Sequence, residues 1–207
     1  MHHTYKFLND REFNNPSISY QNDTFLSPRE IDFYQQLLPG SWTPGPSVKD
    51  IFYFSKDLYN HYDWKNNWDK TGWKHDAPPE WENLYKKIKT ILPKHFVHWV
   101  DLKITPPLSS GTPIHQDKDP WQAGGSDKFY RSLSVLCNLN HEWDDSWGGA
   151  FITHKADEQT QSLNEFSRIA IKPGQLVVME NCFHSIEPII EFNRPRISFI
   201  LQVLEYK

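Results

Sequence analysis

The stretch YRSLSVLCNLN, Tyr130–Asn140, reads as a strand that ends on asparagine. Other short segments of strand character surround it. Phe96–Thr105 comes before; Ala150–His154, Ser167–Ile171, Leu176–Met179 and Ile197–Leu204 come after. Turn formers separate them: Pro106-Pro107, Gly124-Gly125, Gly148-Gly149 and Pro173-Gly174. Many short strands with turns and no helices between them indicate a β-sandwich or barrel, and not a parallel α/β sheet. No internal repeat is visible.

Upstream the texture changes. Residues 1–95 are rich in aromatic, Asn, Asp and Lys residues, with helical signals among loops. Ser27-Pro28-Arg29-Glu30 has the form of a helix start, with Ser as N-cap, Pro at N1 and Glu at N3 closing a capping box. The helix that follows carries Ile31, Tyr34, Leu37 and Leu38 on one side, and Pro39-Gly40 is its expected stop. A second helix is expected from near Pro79 to Leu92, with Trp81, Leu84, Ile88 and Ile91 on one face and Pro93 ending it. The resulting architecture is α+β and mainly β. Residues 1–95 form a helical, aromatic-rich extension that packs on a core spanning residues 96–207.

Bulk composition narrows the classes. Of 207 residues, 38% are apolar and 15% aromatic, with nine tryptophans, which suits a globular chain with a real core. A net charge of −4 leaves no basic footprint for nucleic acid or acidic lipid. Cys137 and Cys182 make no disulfide framework and no CxxC pair, so reduced thiols in a cytoplasmic protein are expected. The N-terminus has no apolar signal region, and no apolar run approaches membrane-spanning length.

One set of residues carries chemistry. Asp117 follows His115 by two positions, so on an extended segment both side chains project from one face. His184 lies far downstream, at the expected end of a loop after the strand Leu176–Met179. Two imidazoles and a carboxylate on one face of a metal leave the opposite positions open, the arrangement of non-haem Fe(II) oxygenases. An H-x-D pair and a distant histidine are weak evidence alone. Their context adds to it: the strand ending in Asn138, then WDDSWGGAFI (143–152), KPGQLVVM (172–179), HSIEP (184–188) and RISF (196–199).

This succession resembles the prolyl 4-hydroxylase-like branch of the Fe(II)/2-oxoglutarate dioxygenases, over residues 96–204. The resemblance implies a double-stranded β-helix, a cupin-like jelly roll with the metal at its open end. It implies His115, Asp117 and His184 as metal ligands, with Fe(II), 2-oxoglutarate and O2 as cofactor and cosubstrates. Arg196, on the last strand with Ser198 two residues on, matches the position that grips the far carboxylate of 2-oxoglutarate. A guanidinium offers that group a planar two-pronged donor. Arg194 is the runner-up. Asn138 matches a frequent cosubstrate contact, and Thr105 shares with Lys103 a face of the strand entering the site. Many prolyl hydroxylases carry a tyrosine near there, and this chain does not. The implied reaction is hydroxylation of an unactivated C–H bond in a peptidyl or small amino-acid-like substrate, with release of succinate and CO2. The presence of Asp117 favours hydroxylation over halogenation, because related halogenases lack that carboxylate.

Several readings stay open at this level. Gly148-Gly149 either lets the backbone pass close to a neighbour or forms a plain hairpin turn. The aromatic stretch Ile51–Trp73 either walls the metal mouth or packs the helical layer. The loop Lys118–Lys128 is placed to be a mobile substrate loop. Two other functions compete: a cupin-type isomerase or hydrolase with a redox-inert metal, and a non-catalytic jelly-roll binding module. Oligomeric state and substrate identity are undetermined.

Overall fold

A computed structural model of the chain describes residues 18–39, 43–44, 54–60, 82–93, 95–116, 129–157, 159–160, 162–180 and 182–206. Its strands are β1 (Ile18–Asn22), β2 (Thr43–Pro44), β3 (Phe54–Asn60), β4 (His95–Thr105), β5 (Thr112–His115), β6 (Phe129–Asn138), β7 (Phe151–Ala156), β8 (Leu163–Ile169), β9 (Leu176–Glu180), β10 (His184–Ile186) and β11 (Arg196–Tyr206). Two helices accompany them, α1 (Pro28–Gln35) and α2 (Glu82–Ile91). The strands form a seven-stranded sheet in the order β1-β9-β6-β11-β4-β3-β2 and a four-stranded sheet in the order β5-β10-β7-β8. The pairings within both sheets are antiparallel. This is the double-stranded β-helix.

Among the described residues the centre of the larger sheet is buried on both faces, and β11 shows how. Ile197, Phe199, Leu201 and Val203 point to one side. There they join Val100 and Leu102 of β4, Leu133, Val135 and Cys137 of β6, and the helix residues Ile31, Tyr34, Leu84 and Ile88 in one cluster. Tyr34 meets Phe199 edge-on, with ring centroids 5.0 Å apart. The alternate residues of β11 face the smaller sheet. On that side Leu136, Val177 and Met179 pack with Phe151 and Ile169. Each fully buried aliphatic side chain contributes about 1.5–3 kcal/mol relative to exposure, so both layers hold the sheet.

The capping box at Ser27 forms as its sequence predicts: the Ser27 N–H donates to Glu30 Oε2 at 2.8 Å, and the Glu30 N–H donates back to Ser27 Oγ at 3.4 Å. The helix stops earlier than Pro39, at Gln35. The N–H groups of Gln36, Leu37 and Leu38 turn back to carbonyls three residues earlier. The Gln35 side chain donates to the Leu139 carbonyl at 2.7 Å, which ties the helix end to the sheet. Of the second helix, the expected start near Pro79 and Trp81 lies outside the described residues, and Glu82–Ile91 is helical.

Other expectations shift. The strand expected over Ser167–Ile171 runs instead over Leu163–Ile169, because its register with β7 begins at Ala156↔Leu163. His184 does end the loop after β9, and it also opens a strand the sequence did not show, since β10 pairs with β5 on one side and β7 on the other. Sequence reading also missed β1 and β3 in the first 95 residues; both enter the large sheet, against β9 and β4.

Two glycines are required by the fold. Gly148 has φ +76°, and a Cβ there would collide with the Pro188 carbonyl oxygen; Gly148 forms an isolated bridge with Ile189. The close-approach reading of Gly148-Gly149 therefore holds. Gly174 has φ +64°, and a Cβ would run into the carbonyl of Leu26, whose N–H donates to Gly174 O at 3.0 Å. Urea unfolding should show Ser27→Ala losing about 1 kcal/mol, the usual worth of an N-cap. Gly174→Ala should lose more than that, because strain and a backbone collision add.

Candidate active site

His184 is the middle of a short cross-sheet row. It lies opposite His115 of β5 on one side and Thr153 of β7 on the other. The two imidazoles stand 4.3 Å apart between ring centroids. Phe151 covers His184 at 5.3 Å with a tilt of 31°, and His184 is only 6% exposed. Antiparallel pairing thus brings together two residues separated by 69 positions along the chain (184 − 115).

The rings are also oriented alike. Nδ1 of His115 bonds to the Pro113 carbonyl at 2.8 Å, and Nδ1 of His184 bonds to the Cys182 carbonyl at 2.9 Å. A carbonyl only accepts, so each Nδ1 carries the proton and each Nε2 carries the lone pair. That is the tautomer a metal-binding histidine needs, with the partner of the other nitrogen setting it. Asp117, the expected third ligand, lies outside the described residues. So does the loop Lys118–Lys128, and of the stretch Ile51–Trp73 only the backbone of β3 is described.

Below the histidine pair the large sheet presents its inner face. Arg196, Ser198 and Ile200 of β11 point into the space between the sheets. They lie opposite Thr105, Lys103 and Asp101 of β4, and Ser198 also lies opposite Asn138 of β6. Register therefore gathers Arg196, Ser198, Asn138 and Thr105, all four predicted cosubstrate contacts, on one patch. Arg196 is 3% exposed, and its Nε and Nη2 have no hydrogen-bond partner among the described residues. Burial pushes its guanidinium pKa down to about 10, so it is still a cation at neutral pH. A buried cation without a counter-charge among the described residues is costly, and such a group is a candidate place for receiving an anion.

Arg194 is a different kind of residue. It is exposed, ion-paired with Glu142 and laid over the Trp147 ring at 5.0 Å. Its charge is committed on the surface, which leaves Arg196 as the anchor candidate. One residue escaped the sequence reading: Gln175, 1% exposed, whose Oε1 accepts from Asn138 Nδ2 at 3.0 Å. Its neighbours Pro173-Gly174 signalled a turn, but nothing local signals that the side chain turns inward.

Comparison with known proteins bears on the family resemblance and the fold. The sequence model of the 2OG-Fe(II) oxygenase superfamily matches residues 108–201. No curated relative matches the chain. Among solved structures, a prolyl-4-hydroxylase from Pseudomonas putida superposes with TM-score 0.55 at 14% identity, covering 91% of each chain. The viral collagen prolyl hydroxylase of Paramecium Bursaria Chlorella virus-1 gives 0.54 at 14% identity, covering 90% of this chain and 95% of that one. The epimerase SnoN from nogalamycin biosynthesis gives 0.61 at 9% identity, covering 89% and 76%. At these identities the shared property is the fold.

The two nitrogens of Arg196 without a partner among the described residues make a stability prediction. Arg196→Met keeps the volume and removes the buried charge, so ligand-free protein should unfold at an equal or higher temperature, by up to about 2 kcal/mol. Arg194→Ala, on the surface, should change stability by less than about 0.5 kcal/mol. Differential scanning calorimetry of both variants checks this; a clear loss in Arg196→Met would mean the guanidinium is satisfied within the fold.

Proposed function

We propose, from the match of residues 108–201 to the 2OG-Fe(II) oxygenase superfamily, that the chain is such an oxygenase, that His115, Asp117 and His184 hold the iron, that Arg196 anchors the cosubstrate, and that the reaction is a C–H hydroxylation. Fe(II), 2-oxoglutarate and O2 are the cofactor and cosubstrates of this superfamily. The residues present fit them. Two imidazoles share the Nδ1-protonated tautomer with Nε2 as donor, a set suited to a borderline metal such as Fe(II). The buried Arg196, with two N–H-bearing nitrogens unpartnered among the described residues, fits the distal carboxylate of a dicarboxylic acid. That guanidinium is the observation that carries the reading. It also favours the oxygenase over a cupin-type enzyme with a redox-inert metal, which would need no dicarboxylate anchor.

When bound, the iron, 2-oxoglutarate and O2 supply the oxidation of an unactivated C–H bond, with succinate and CO2 as the cosubstrate's products. The chain's own residues bind, orient and exclude water. Arg196 holds one end of the cosubstrate by charge and by its fork, which fixes the reach of the other end toward the histidines. Phe151, Leu136, Val177 and Met179 keep the space between the sheets apolar, so polar contacts inside it act undiluted by water. Asp117 supplies a carboxylate ligand where a halide would otherwise enter.

For the primary substrate we favour a peptidyl or small amino-acid-like molecule. Two structural neighbours are prolyl hydroxylases, which supports this class. The absence of a tyrosine from His95–Thr105 argues against assigning proline itself. SnoN, an epimerase on the same fold, shows that the fold alone does not dictate the outcome.

Anaerobic addition of Fe(II) and then 2-oxoglutarate should produce the visible metal-to-ligand charge-transfer band of the chelated complex. His115→Ala and His184→Ala should abolish it by losing the metal. Arg196→Ala should keep the metal and weaken 2-oxoglutarate by at least about 30-fold, the loss expected when a buried charge pair is broken. Metal binding without any band would sink the oxygenase reading. Under O2, succinate release in the presence of candidate peptides and amino acids, with the product's mass raised by one oxygen, tests hydroxylation.

A further inference from the structure

A chain of side chains runs from the protein surface to the lumen, and its direction is fixed. At the outer end Asp23 pairs with Lys172 and accepts from Gln21 Nε2 at 2.8 Å and from Gln175 Nε2 at 3.1 Å. These contacts, that of Lys172 foremost, hold its carboxyl down to about 2, so it is an acceptor only. Gln175 must therefore turn its NH2 outward and its carbonyl oxygen inward. Asn138 must in turn give its own NH2 to that oxygen, at 3.0 Å. What remains is Asn138 Oδ1, buried and without a hydrogen-bond partner among the described residues. Asn138 itself is buried, 1% exposed.

The nearest kind of group that would satisfy it lies on the next strand. Ser198 is directly opposite Asn138, which makes Arg196 its diagonal neighbour on the same face. Diagonal positions in an antiparallel pair are roughly 7–8 Å apart, within the reach of a long side chain. Among the described residues, an acceptor lacking a donor and two guanidinium nitrogens lacking acceptors thus share one buried patch, and each alone would be costly. Had the amide pointed the other way, it would aim a donor at a cation. We propose that Asn138 is the positioning residue for the cosubstrate anchor: its Oδ1 accepts from one edge of the Arg196 guanidinium while the other edge grips the distal carboxylate of 2-oxoglutarate, and the surface pair Asp23–Lys172 enforces this through Gln175. Each hydrogen bond along the chain polarises the next, so the charge on Asp23 strengthens Oδ1 as an acceptor. The inference rests on the reading of Arg196 as the anchor.

Asp23→Asn is the decisive variant. It is at the surface, preserves shape, and lets the amide chain reverse. Calorimetric titration of 2-oxoglutarate into Mn(II)-loaded protein should show its Kd rising about 3–10-fold, the worth of one hydrogen bond, with Mn(II) affinity unchanged. Asn138→Asp should raise it more than about 30-fold, because a fixed carboxylate there competes for Arg196. With 2-oxobutyrate, which lacks the distal carboxylate, neither variant should add a penalty. If both variants bind 2-oxoglutarate within twofold of the parent while Arg196→Met loses it, the relay is packing only and the proposal is overturned. An equal penalty for 2-oxobutyrate would overturn it too, as general distortion. If Arg196→Met itself binds 2-oxoglutarate normally, the anchor assignment has failed and this inference falls with it.

Discussion

One strand must satisfy two layers at once, and the remainder of the molecule is arranged around that demand. β11 is hydrogen-bonded on both sides, to β4 and to β6, so its backbone is fully committed. Its side chains alternate between the two faces from Arg196 to Leu201. Ile197, Phe199, Leu201 and Val203 anchor the helices, and Arg196, Ser198 and Ile200 form part of the lumen floor. A slip of one residue would send the guanidinium into the helical core and Phe199 into the site. The register of the last strand is therefore a stability constraint and a functional constraint in the same bonds. The helices α1 and α2 matter to the site in this way: they secure the alternation that aims Arg196 inward.

The smaller sheet solves a complementary problem. A metal needs ligands converging from different parts of the chain, with each ring held in one orientation. β10 is only three residues long, yet it lies between β5 and β7 and so places His184 beside His115. Backbone carbonyls two residues upstream then set both tautomers. Strand pairing thus places both described rings, while the carbonyl that orients the His184 ring comes from Cys182, just before β10.

The lumen holds an imbalance that the fold tolerates without resolving. Arg196 and Asn138 are buried polar groups with unmet hydrogen-bonding capacity among the described residues. Most buried polar groups in proteins are satisfied, so exceptions ask for a cause. A site that must receive a small dianion has to keep its donors uncommitted until the anion arrives. Sites of this kind trade stability for binding.

The sequence alone determined the class of fold, through short strands separated by Pro and Gly turns. It also indicated the histidine and arginine positions, through an ordered series of motifs. The capping box at Ser27 was equally legible, because a cap is a local interaction among four residues. Tertiary structure decided the rest. Only long-range pairing put His184 in a strand, drew β1 and β3 into the large sheet, moved β8 to Leu163–Ile169 and ended α1 at Gln35. Burial separated Arg196 from Arg194, a choice that the sequence had rested on the resemblance alone. The inward turn of Gln175 was likewise invisible, since its partners Asn138 and Asp23 are remote in the chain. The physical reason is common to all of these. Local patterns reveal what a residue prefers, whereas partners across a sheet decide what it is paired with, and charge acquires its meaning only from what surrounds it.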